Sequence, residues 1–217
     1  MSESAPVVLV ADDDAHVRRA FERLLRSAGY QVETFGSAGE LMTRSAAVDA
    51  PVCVLLDLRL LDLYGLDVQR RLDASVPVVI VSACADLNVA VGAMKAGAFD
   101  FLAKPVDVQV LFDATASAVA HAKTLYEQRK QYGELRQRAR LLTPREQEVM
   151  ALVVIGLMNK QIADRLGASE KTIKIHRARV MEKMQANSVP ELVRLVRRLD
   201  SGPPPVNRSL SLGDCFV

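Results

Sequence analysis

The sequence has no tryptophan, and aromatic residues make up only 5% of its 217 residues, so its cores must consist mainly of Val, Leu, Ile and Ala. No apolar run approaches the roughly 18 residues that a membrane-spanning helix needs, and no secretory signal is visible at the N-terminus. Cys53, Cys84 and Cys215 have neither metal-ligand spacing nor the even number of a disulfide framework. These absences predict a globular cytoplasmic protein with reduced thiols and no membrane partner.

The net charge of +2 conceals an uneven distribution of charge along the chain. Residues 1–125 contain 11 Lys/Arg and 16 Asp/Glu, a net charge of −5. Residues 126–217 contain 17 Lys/Arg and 10 Asp/Glu, a net charge of +7. A basic C-terminal half indicates a polyanionic partner, although charge alone leaves open an ordinary solvated surface.

The first half of the sequence alternates between strand and helix patterns. Apolar strand patterns occupy residues 7–11, 52–56, 76–81 and 98–103, and an alternating strand pattern occupies 31–35. Helical spacing occupies 16–28, 38–45, 65–74, 87–96 and 106–122. This order predicts a doubly wound α/β domain, a five-stranded parallel sheet with helices on both faces. In such sheets, ligands bind at the carboxyl ends of the strands.

Acidic residues directly follow two of the predicted strands. Asp12, Asp13 and Asp14 come after the first strand, and Asp57 comes after the third. One of the three adjacent acids is expected to cap the next helix, but capping does not require all of them. Carboxylates at one edge repel each other unless a cation joins them, and oxygen ligands of this kind favour Mg²⁺.

Groups of a different chemistry follow two other strands. Ser82 offers a hydroxyl, and Lys104, just before Pro105, offers a positive charge. A lone lysine is usually a solvated charge, but here it completes a ring that suits a metal ion and a phosphoryl group. A carboxylate can act as nucleophile and form an aspartyl phosphate. Asp57 is the candidate, because it ends a middle strand with the other groups around it.

These residues stand in motifs that resemble the receiver domain of two-component response regulators, over about residues 6–122. The matching segments are Val-Leu-Val-Ala-Asp-Asp-Asp at 8–14, Leu-Leu-Asp-Leu-Arg at 55–59 with Gly65, Val-Ser-Ala at 81–83, and Lys-Ala-Gly-Ala-Phe-Asp-Phe-Leu-Ala-Lys-Pro at 95–105. The resemblance implies a flavodoxin-like fold. Two features depart from the family pattern: Leu60 and Leu61 stand where Met-Pro is common, and Ser82 replaces the frequent Thr.

The resemblance also assigns roles to the ring of polar residues. It implies that Asp57 accepts a phosphoryl group from a sensor kinase histidine, and that Ser82 and Lys104 contact the phosphoryl oxygens. Phe101 would be the aromatic whose rotamer follows phosphorylation, with plain core packing as the alternative. The bond between Lys104 and Pro105 would be cis.

A Mg²⁺ ion is the cofactor that the resemblance implies. Its ligands would be Asp12, Asp13, Asp57 and the backbone carbonyl of Arg59. Of the first two, Asp13 would be the direct ligand, while Asp12 would act through water.

The second half of the sequence predicts an all-α domain of four helices. No proline interrupts residues 113–140 and only Gly133 breaks the helical pattern, so the preceding helix is expected to continue as a helical linker. Further helices are predicted at residues 144–154, 159–166, 170–184 and 189–198. The stretch 201–217 contains three consecutive prolines and is expected to be a disordered tail.

Residues 161–184 have the pattern of a helix, a tight turn and a second helix. Gly167 suits the end of one helix and Ser169 the N-cap of the next. Ile173, Val180 and Met184 repeat at helical spacing and are expected to face the core. The remaining surface of the second helix is basic, with Lys171, Lys174, Arg177, Arg179 and Lys183. Such a helix fits the major groove of DNA, with a solvated face of an ordinary bundle as the alternative.

Three segments resemble the LuxR-type DNA-binding domain, over about residues 139–200. They are Leu-Thr-Pro-Arg-Glu-Gln-Glu-Val from residue 142, Gly-Leu-Met-Asn-Lys-Gln-Ile-Ala from residue 156, and the basic helix with its cap, residues 169–184. Thr143 and Glu146 are expected to form a capping box. Together with the receiver motifs, these segments identify the chain as a member of the NarL/FixJ family of transcription regulators.

The resemblance implies which residues of this domain contact DNA. Lys174, Ile175 and Ala178 would face the bases. The remaining expected contacts, to phosphate or of mixed kind, are Lys160, Lys171, Thr172, Arg177 and Arg179.

The predicted function is that of a transcription regulator switched by phosphorylation. Phosphoryl transfer to Asp57 would promote dimerisation and sequence-specific binding to a two-fold DNA site. Expected partners are a sensor histidine kinase, DNA, a second copy of the chain and RNA polymerase. The predicted domains are a receiver at 6–122, a linker at 123–140 and a DNA-binding domain at 141–200.

Two other functions are compatible with parts of the sequence. A DNA-binding module could use the receiver domain only as a dimer scaffold, but the intact ring of acids, Ser82 and Lys104 argues against it. A metal-dependent phosphohydrolase would need a second acid beside its nucleophile, and Arg59 stands two residues after Asp57 instead. The chain is therefore predicted not to be an enzyme.

Overall fold

The computed structural model describes residues 4–60, 65–73, 75–83 and 86–202. The strands in this part of the chain are β1 (Val7–Ala11), β2 (Gln31–Phe35), β3 (Val52–Asp57), β4 (Val78–Ser82) and β5 (Asp100–Ala103). The first five helices are α1 (Ala15–Ser27), α2 (Ala38–Ala47), α3 (Gly65–Arg71), α4 (Leu87–Lys95) and α5 (Val108–Arg140). They are followed by α6 (Pro144–Val154), α7 (Asn159–Leu166), α8 (Glu170–Met184) and α9 (Val189–Asp200).

All five strands join one parallel sheet in the order β2-β1-β3-β4-β5. Successive side chains of a strand point to opposite faces, so β1 contributes to two cores. Val7 and Leu9 belong to one buried apolar cluster, and Val8 and Val10 belong to another. Because both faces are covered, β1 and β3 are buried along their whole length. The predicted doubly wound α/β fold is confirmed.

Some element boundaries differ from those that the sequence pattern predicts. β3 includes Asp57 and β4 includes Ser82, so each polar residue is the last of its strand. β4 begins at Val78 because Pro77 has no N–H to donate, and only its carbonyl pairs, accepting from Val54 N. The helix expected to reach residue 74 ends at Arg71, and residue 74 lies outside the described residues.

Helix α5 has 33 residues, which confirms that the last helix of the first half continues beyond residue 122. Gly133 does not interrupt it, since one glycine costs a helix only about 1 kcal/mol. Leu135, in the next turn, is buried in a core with Leu142 and Val149. The described chain forms two compact units, the first reaching Glu127 and the second beginning at Gln128, so α5 contributes to both.

The second unit contains the predicted helix-turn-helix. Gly167 ends α7 with a φ of 60°, a left-handed conformation that glycine adopts without strain. The Ser169 hydroxyl then caps α8 by accepting from Thr172 N at 3.1 Å. The predicted core residues of α8, Ile173, Val180 and Met184, are all fully buried. The second, all-α domain of four helices is thereby confirmed, whereas the tail predicted at 201–217 lies outside the described residues from 203 onward.

Within the described ranges, every helix falls short of the combined length and hydrophobicity that crossing a membrane demands.

Candidate functional site

The polar residues predicted to form one ring lie together at the edge of the sheet where the strands end. Asp57 and Ser82 are the last residues of β3 and β4, Asp12 follows β1, and Lys104 follows β5. The backbone N of Lys104 donates to the carbonyl of Ser82 at 2.7 Å, which holds the lysine level with the end of β4. These residues are far apart in sequence but lie close together, because the carboxyl ends of parallel strands are at the same edge of the sheet.

Asp12, Asp13 and Asp57 form an acidic cluster in which one carboxylate oxygen from each residue lies within 4.8 Å of the other two. Asp12 is 2% exposed and Asp57 is 7% exposed, whereas Asp13 is exposed to solvent. Carboxylates at this separation repel each other strongly when two of them are removed from water. A cation is needed to hold all three in their charged form.

Lys104 supplies one such cation. Its Nζ donates to Asp12 Oδ2 at 2.6 Å and to Asp57 Oδ2 at 3.0 Å. Burial raises the pKa of the Asp12 carboxyl, and the hydrogen bond from Lys104 offsets this only in part. Burial by itself lowers the pKa of Lys104, but its hydrogen bonds to the two carboxylates raise that pKa overall. Three carboxylates against one ammonium leave two negative charges in excess, so the cluster retains an attraction for a divalent cation.

The loop between β1 and α1 is held by its own acids. Asp14 is the residue that caps α1, accepting from His16 N at 2.7 Å, and this hydrogen bond lowers the pKa of the Asp14 carboxyl. Asp12 Oδ1 accepts from Asp14 N at 2.9 Å. On the neighbouring loop, Arg59 N donates to Asp57 Oδ1 at 3.2 Å. Both buried carboxylates are therefore fixed by backbone donors as well as by Lys104.

Ser82 and Phe101, the two predicted switch residues, lie on the paired strands β4 and β5. Ser82 is 2% exposed, and Phe101 is half-buried on the neighbouring strand β5. Phe101 packs against the core cluster that contains Ile80, so it has both core contacts and an exposed portion. The bond between Lys104 and Pro105 is cis, as predicted.

The residues expected to contact DNA lie in α7 and α8. Those with exposed side chains are Lys160, Lys171, Thr172, Lys174, Ile175, Ala178 and Arg179. Ile175 is 47% exposed, so nearly half of this large apolar side chain is open to solvent. Arg177 differs from the others, because it is half-buried and its Nη1 donates to Asn159 Oδ1 at 3.1 Å.

Lys183, predicted to form part of the basic surface of α8, is half-buried and forms an ion pair within its own unit. Its Nζ donates to Glu146 Oε2 at 2.6 Å and to the carbonyl of Leu141 at 3.1 Å. Glu146 is 2% exposed and also completes the predicted capping box with Thr143. The capping box can be predicted from the local sequence. The hydrogen bond from Lys183 to Glu146 cannot, because the two residues are 37 positions apart and no local pattern connects them.

Comparison with known proteins agrees with both halves of the structure. Residues 8–116 match the response regulator receiver domain family, and residues 140–196 match the bacterial regulatory proteins of the luxR family. The chain is 42% identical to Nodulation protein W of Bradyrhizobium diazoefficiens, over 89% of this chain and 86% of that protein. It is 38% identical to the response regulator protein TmoT of Ectopseudomonas mendocina, over 92% and 91%.

Two solved structures resemble the chain over nearly its whole length. The response regulator StyR is 39% identical, covers 90% of this chain and 100% of its own, and gives a TM-score of 0.78. Full-length FixJ from B. japonicum is 35% identical, covers 92% and 99%, and gives a TM-score of 0.52. The protein is thus a response regulator with a receiver domain and a LuxR-type DNA-binding domain. It belongs to the NarL/FixJ family and regulates transcription through two-component signalling.

Proposed function

We propose that Asp57 receives a phosphoryl group from the histidine of a sensor kinase and that this modification promotes dimerisation and sequence-specific DNA binding. The observation that carries the proposal is the convergence of Asp12, Asp13 and Lys104 on Asp57 at one edge of the sheet. Asp57 ends the middle strand of the sheet, with the acids after β1 on one side and Ser82 and Lys104 after β4 and β5 on the other. In this role the protein is a substrate of phosphoryl transfer rather than an enzyme.

Phosphoryl transfer would form a bond between an Asp57 carboxylate oxygen and phosphorus. The bond from phosphorus to the kinase imidazole would break, and its electron pair would stay on that nitrogen. Lys104 lies 3.0 Å from Asp57 Oδ2 and carries the positive charge that the phosphoryl oxygens need. Ser82, the last residue of the adjacent strand, would donate its hydroxyl to the same group.

The residues of the acidic cluster fit a Mg²⁺ ion. One carboxylate oxygen from each residue lies within 4.8 Å of the other two, and the negative charge of the three carboxylates exceeds the positive charge of Lys104. Asp12, Asp13, Asp57 and the backbone carbonyl of Arg59 would hold the ion, with Asp13 as the exposed ligand. When bound, Mg²⁺ would neutralise the charge that gathers on the phosphoryl oxygens and orient them for attack.

The new charge on Asp57 would bias a two-state equilibrium of the receiver. Lys104 and Ser82 would move toward the phosphoryl oxygens. Phe101, on the strand β5 that precedes Lys104, would change rotamer. The face formed by β5 and the start of α5 would thereby change, and two receivers would pair.

We place the receiver at residues 6–122, the linker at 123–140 and the DNA-binding domain at 141–200.

Pairing would present two copies of α8 to a two-fold DNA site. Lys174, Ile175 and Ala178 would face the bases, with Ile175 and Ala178 able to contact thymine methyl groups. The remaining contacts would be Lys160, Lys171, Thr172, Arg177 and Arg179. Of these, Arg177 would combine a contact to DNA with its hydrogen bond to Asn159. RNA polymerase would then be a further partner at the promoter.

Labelling with a small radioactive phosphodonor tests the chemical step. Wild-type protein should be labelled in the presence of Mg²⁺ and lose the label when the metal is chelated, whereas Asp57→Asn should not be labelled. Asp67→Asn, which removes an exposed acid from α3, is the matched control and should be labelled normally. Equal labelling of wild-type and Asp57→Asn protein would refute the assignment of Asp57.

A further inference from the structure

Arg18 reaches from α1 back to the loop that carries two members of the acidic cluster. Its Nη1 donates to the backbone carbonyl of Asp12 at 2.6 Å and to that of Asp13 at 3.1 Å. Gly36, directly after β2, lies against the same guanidinium, since a Cβ added to Gly36 would stand 3.4 Å from Nη1 and 3.6 Å from Cζ. Arg18 therefore holds the loop between β1 and α1, and its guanidinium lies near the end of β2.

These two hydrogen bonds bear on Asp13 in particular. The carbonyls of Asp12 and Asp13 belong to the peptide groups on either side of the Asp13 Cα, so holding both fixes the backbone torsions of Asp13. Lys104 and backbone donors hold the carboxylates of Asp12 and Asp57. Within the residues that the structure describes, the Asp13 carboxylate accepts no hydrogen bond of this kind, so its direction depends on its backbone.

We propose that Arg18 is a positioning residue that holds Asp13 in place for Mg²⁺. This inference rests on the proposed Mg²⁺ site. Hydrogen bonds from a charged donor are short and strong, which suits the fixing of a solvent-exposed loop. No ligand contact is assigned to Arg18 itself, because it acts only through the backbone of the acidic cluster.

The charge of Arg18 makes the proposal testable by the sign of the effect. A guanidinium near the acidic cluster repels a divalent cation. If Arg18 were a bystander, removing it would therefore strengthen Mg²⁺ binding. If Arg18 positions Asp13, removing it should weaken binding despite the relief of that repulsion.

Calorimetric titration of the full chain with Mg²⁺ measures this directly. Wild-type protein should bind one ion, and Arg18→Met should bind it about tenfold more weakly, the lower end of the range for residues that orient metal ligands. Arg18→Lys, which keeps the charge and one donor nitrogen, should recover part of the lost Mg²⁺ affinity. Arg19→Met is the matched control, since it removes the same charge from the next position of α1, where Arg19 Nη2 lies 3.0 Å from His16 Nδ1. Its affinity should equal or slightly exceed that of the wild type.

The outcomes separate this inference from the function on which it rests. If the wild type does not bind Mg²⁺, both are overturned. If the wild type binds and Arg18→Met binds equally or more tightly, only the role of Arg18 is overturned. Circular dichroism without metal shows whether Arg18→Met is folded. If it is not, Arg18→Lys must bind Mg²⁺ more weakly than the wild type, because its shorter side chain holds the two carbonyls less well, and binding equal to the wild type overturns the inference.

Discussion

Replacing Glu146 by Gln should destabilise the second compact unit at neutral pH and have much less effect at pH 3. The Glu146 side chain is 2% exposed and accepts from Lys183 Nζ at 2.6 Å and from Thr143 N at 2.9 Å. The hydrogen bond from Lys183 and then that from Thr143 lower the pKa of Glu146 from 4.5 to about 2. Gln has nearly the same shape and can still accept from Thr143, but it leaves the charge of Lys183 without its partner.

The size of the effect follows from the change in pKa. A carboxyl whose pKa falls from 4.5 to about 2 on folding stabilises the folded state by about 3 kcal/mol at neutral pH. The Lys183 side chain is 32% exposed, so water screens part of this interaction and we expect a loss of about 2 kcal/mol. Because the folded pKa is the lower one, the stabilisation is complete above about pH 5 and declines as the pH falls toward 2. Less than half should remain at pH 3.

Hydrogen exchange of the α8 amides in the full chain, followed by mass spectrometry, measures the opening free energy of this unit alone. Wild-type and Glu146→Gln protein are compared at pH 7, pH 5 and pH 3. Glu148→Gln is the control, because Glu148 pairs with Arg145 at 2.8 Å but is 53% exposed, and its loss should stay below about 0.5 kcal/mol. A difference between wild type and Glu146→Gln that is as large at pH 3 as at pH 7 would refute the ion-pair explanation.

Three further perturbations test other parts of the structure. Lys104→Met leaves two buried carboxylates without their cation and should cost the first unit about 3 kcal/mol at neutral pH. Thermal melts followed by circular dichroism should show that acidification or Mg²⁺ restores part of this stability, since either one reduces the repulsion between the carboxylates. A loss of stability that neither one reduces would contradict the role of Lys104 as their cation. Lys171→Ala should weaken binding to all DNA sequences and lower the salt dependence of binding by about one ion, because Lys171 is assigned to a phosphate, whereas Lys174→Ala should relax sequence preference, because Lys174 is assigned to the bases. If selections of bound DNA gave the same sequence preference for both variants, these two assignments would be contradicted. Leu135→Ala should destabilise the second unit by about 2–4 kcal/mol, because Leu135 is 3% exposed in its core although it lies on α5; unchanged hydrogen exchange there would exclude this contribution.

Features that depend on nearby residues were predictable from the sequence. The bounds of β1, β2, α6, α7 and α8 agree with their apolar periodicity and caps. The start of β4 was misplaced because Val76 continues the apolar run, while Pro77 prevents the ladder from beginning there. Hydrophobic pattern reports which residues are buried, but the hydrogen-bonding capacity of the backbone decides where a strand starts.

The candidate site was predictable as far as its location on the sheet. Asp12, Asp57 and Lys104 could be brought together because each follows or ends a strand, and parallel strands end at one edge. The direct hydrogen bonds of Lys104 to both carboxylates depend on side-chain rotamers and were not foreseen. The contact from Arg18 was missed for another reason: its acceptors are backbone carbonyls, which every residue has and no sequence pattern marks.

The central claim is that the state of Asp57 controls binding of DNA by α8. The most direct test is to measure the affinity of wild-type and Asp57→Asn protein for a selected two-fold DNA site, with and without a small phosphodonor and Mg²⁺. We expect the phosphodonor to raise the affinity of the wild type and to leave that of Asp57→Asn unchanged. Equal DNA affinity of wild type and Asp57→Asn in the presence of the phosphodonor would contradict the claim.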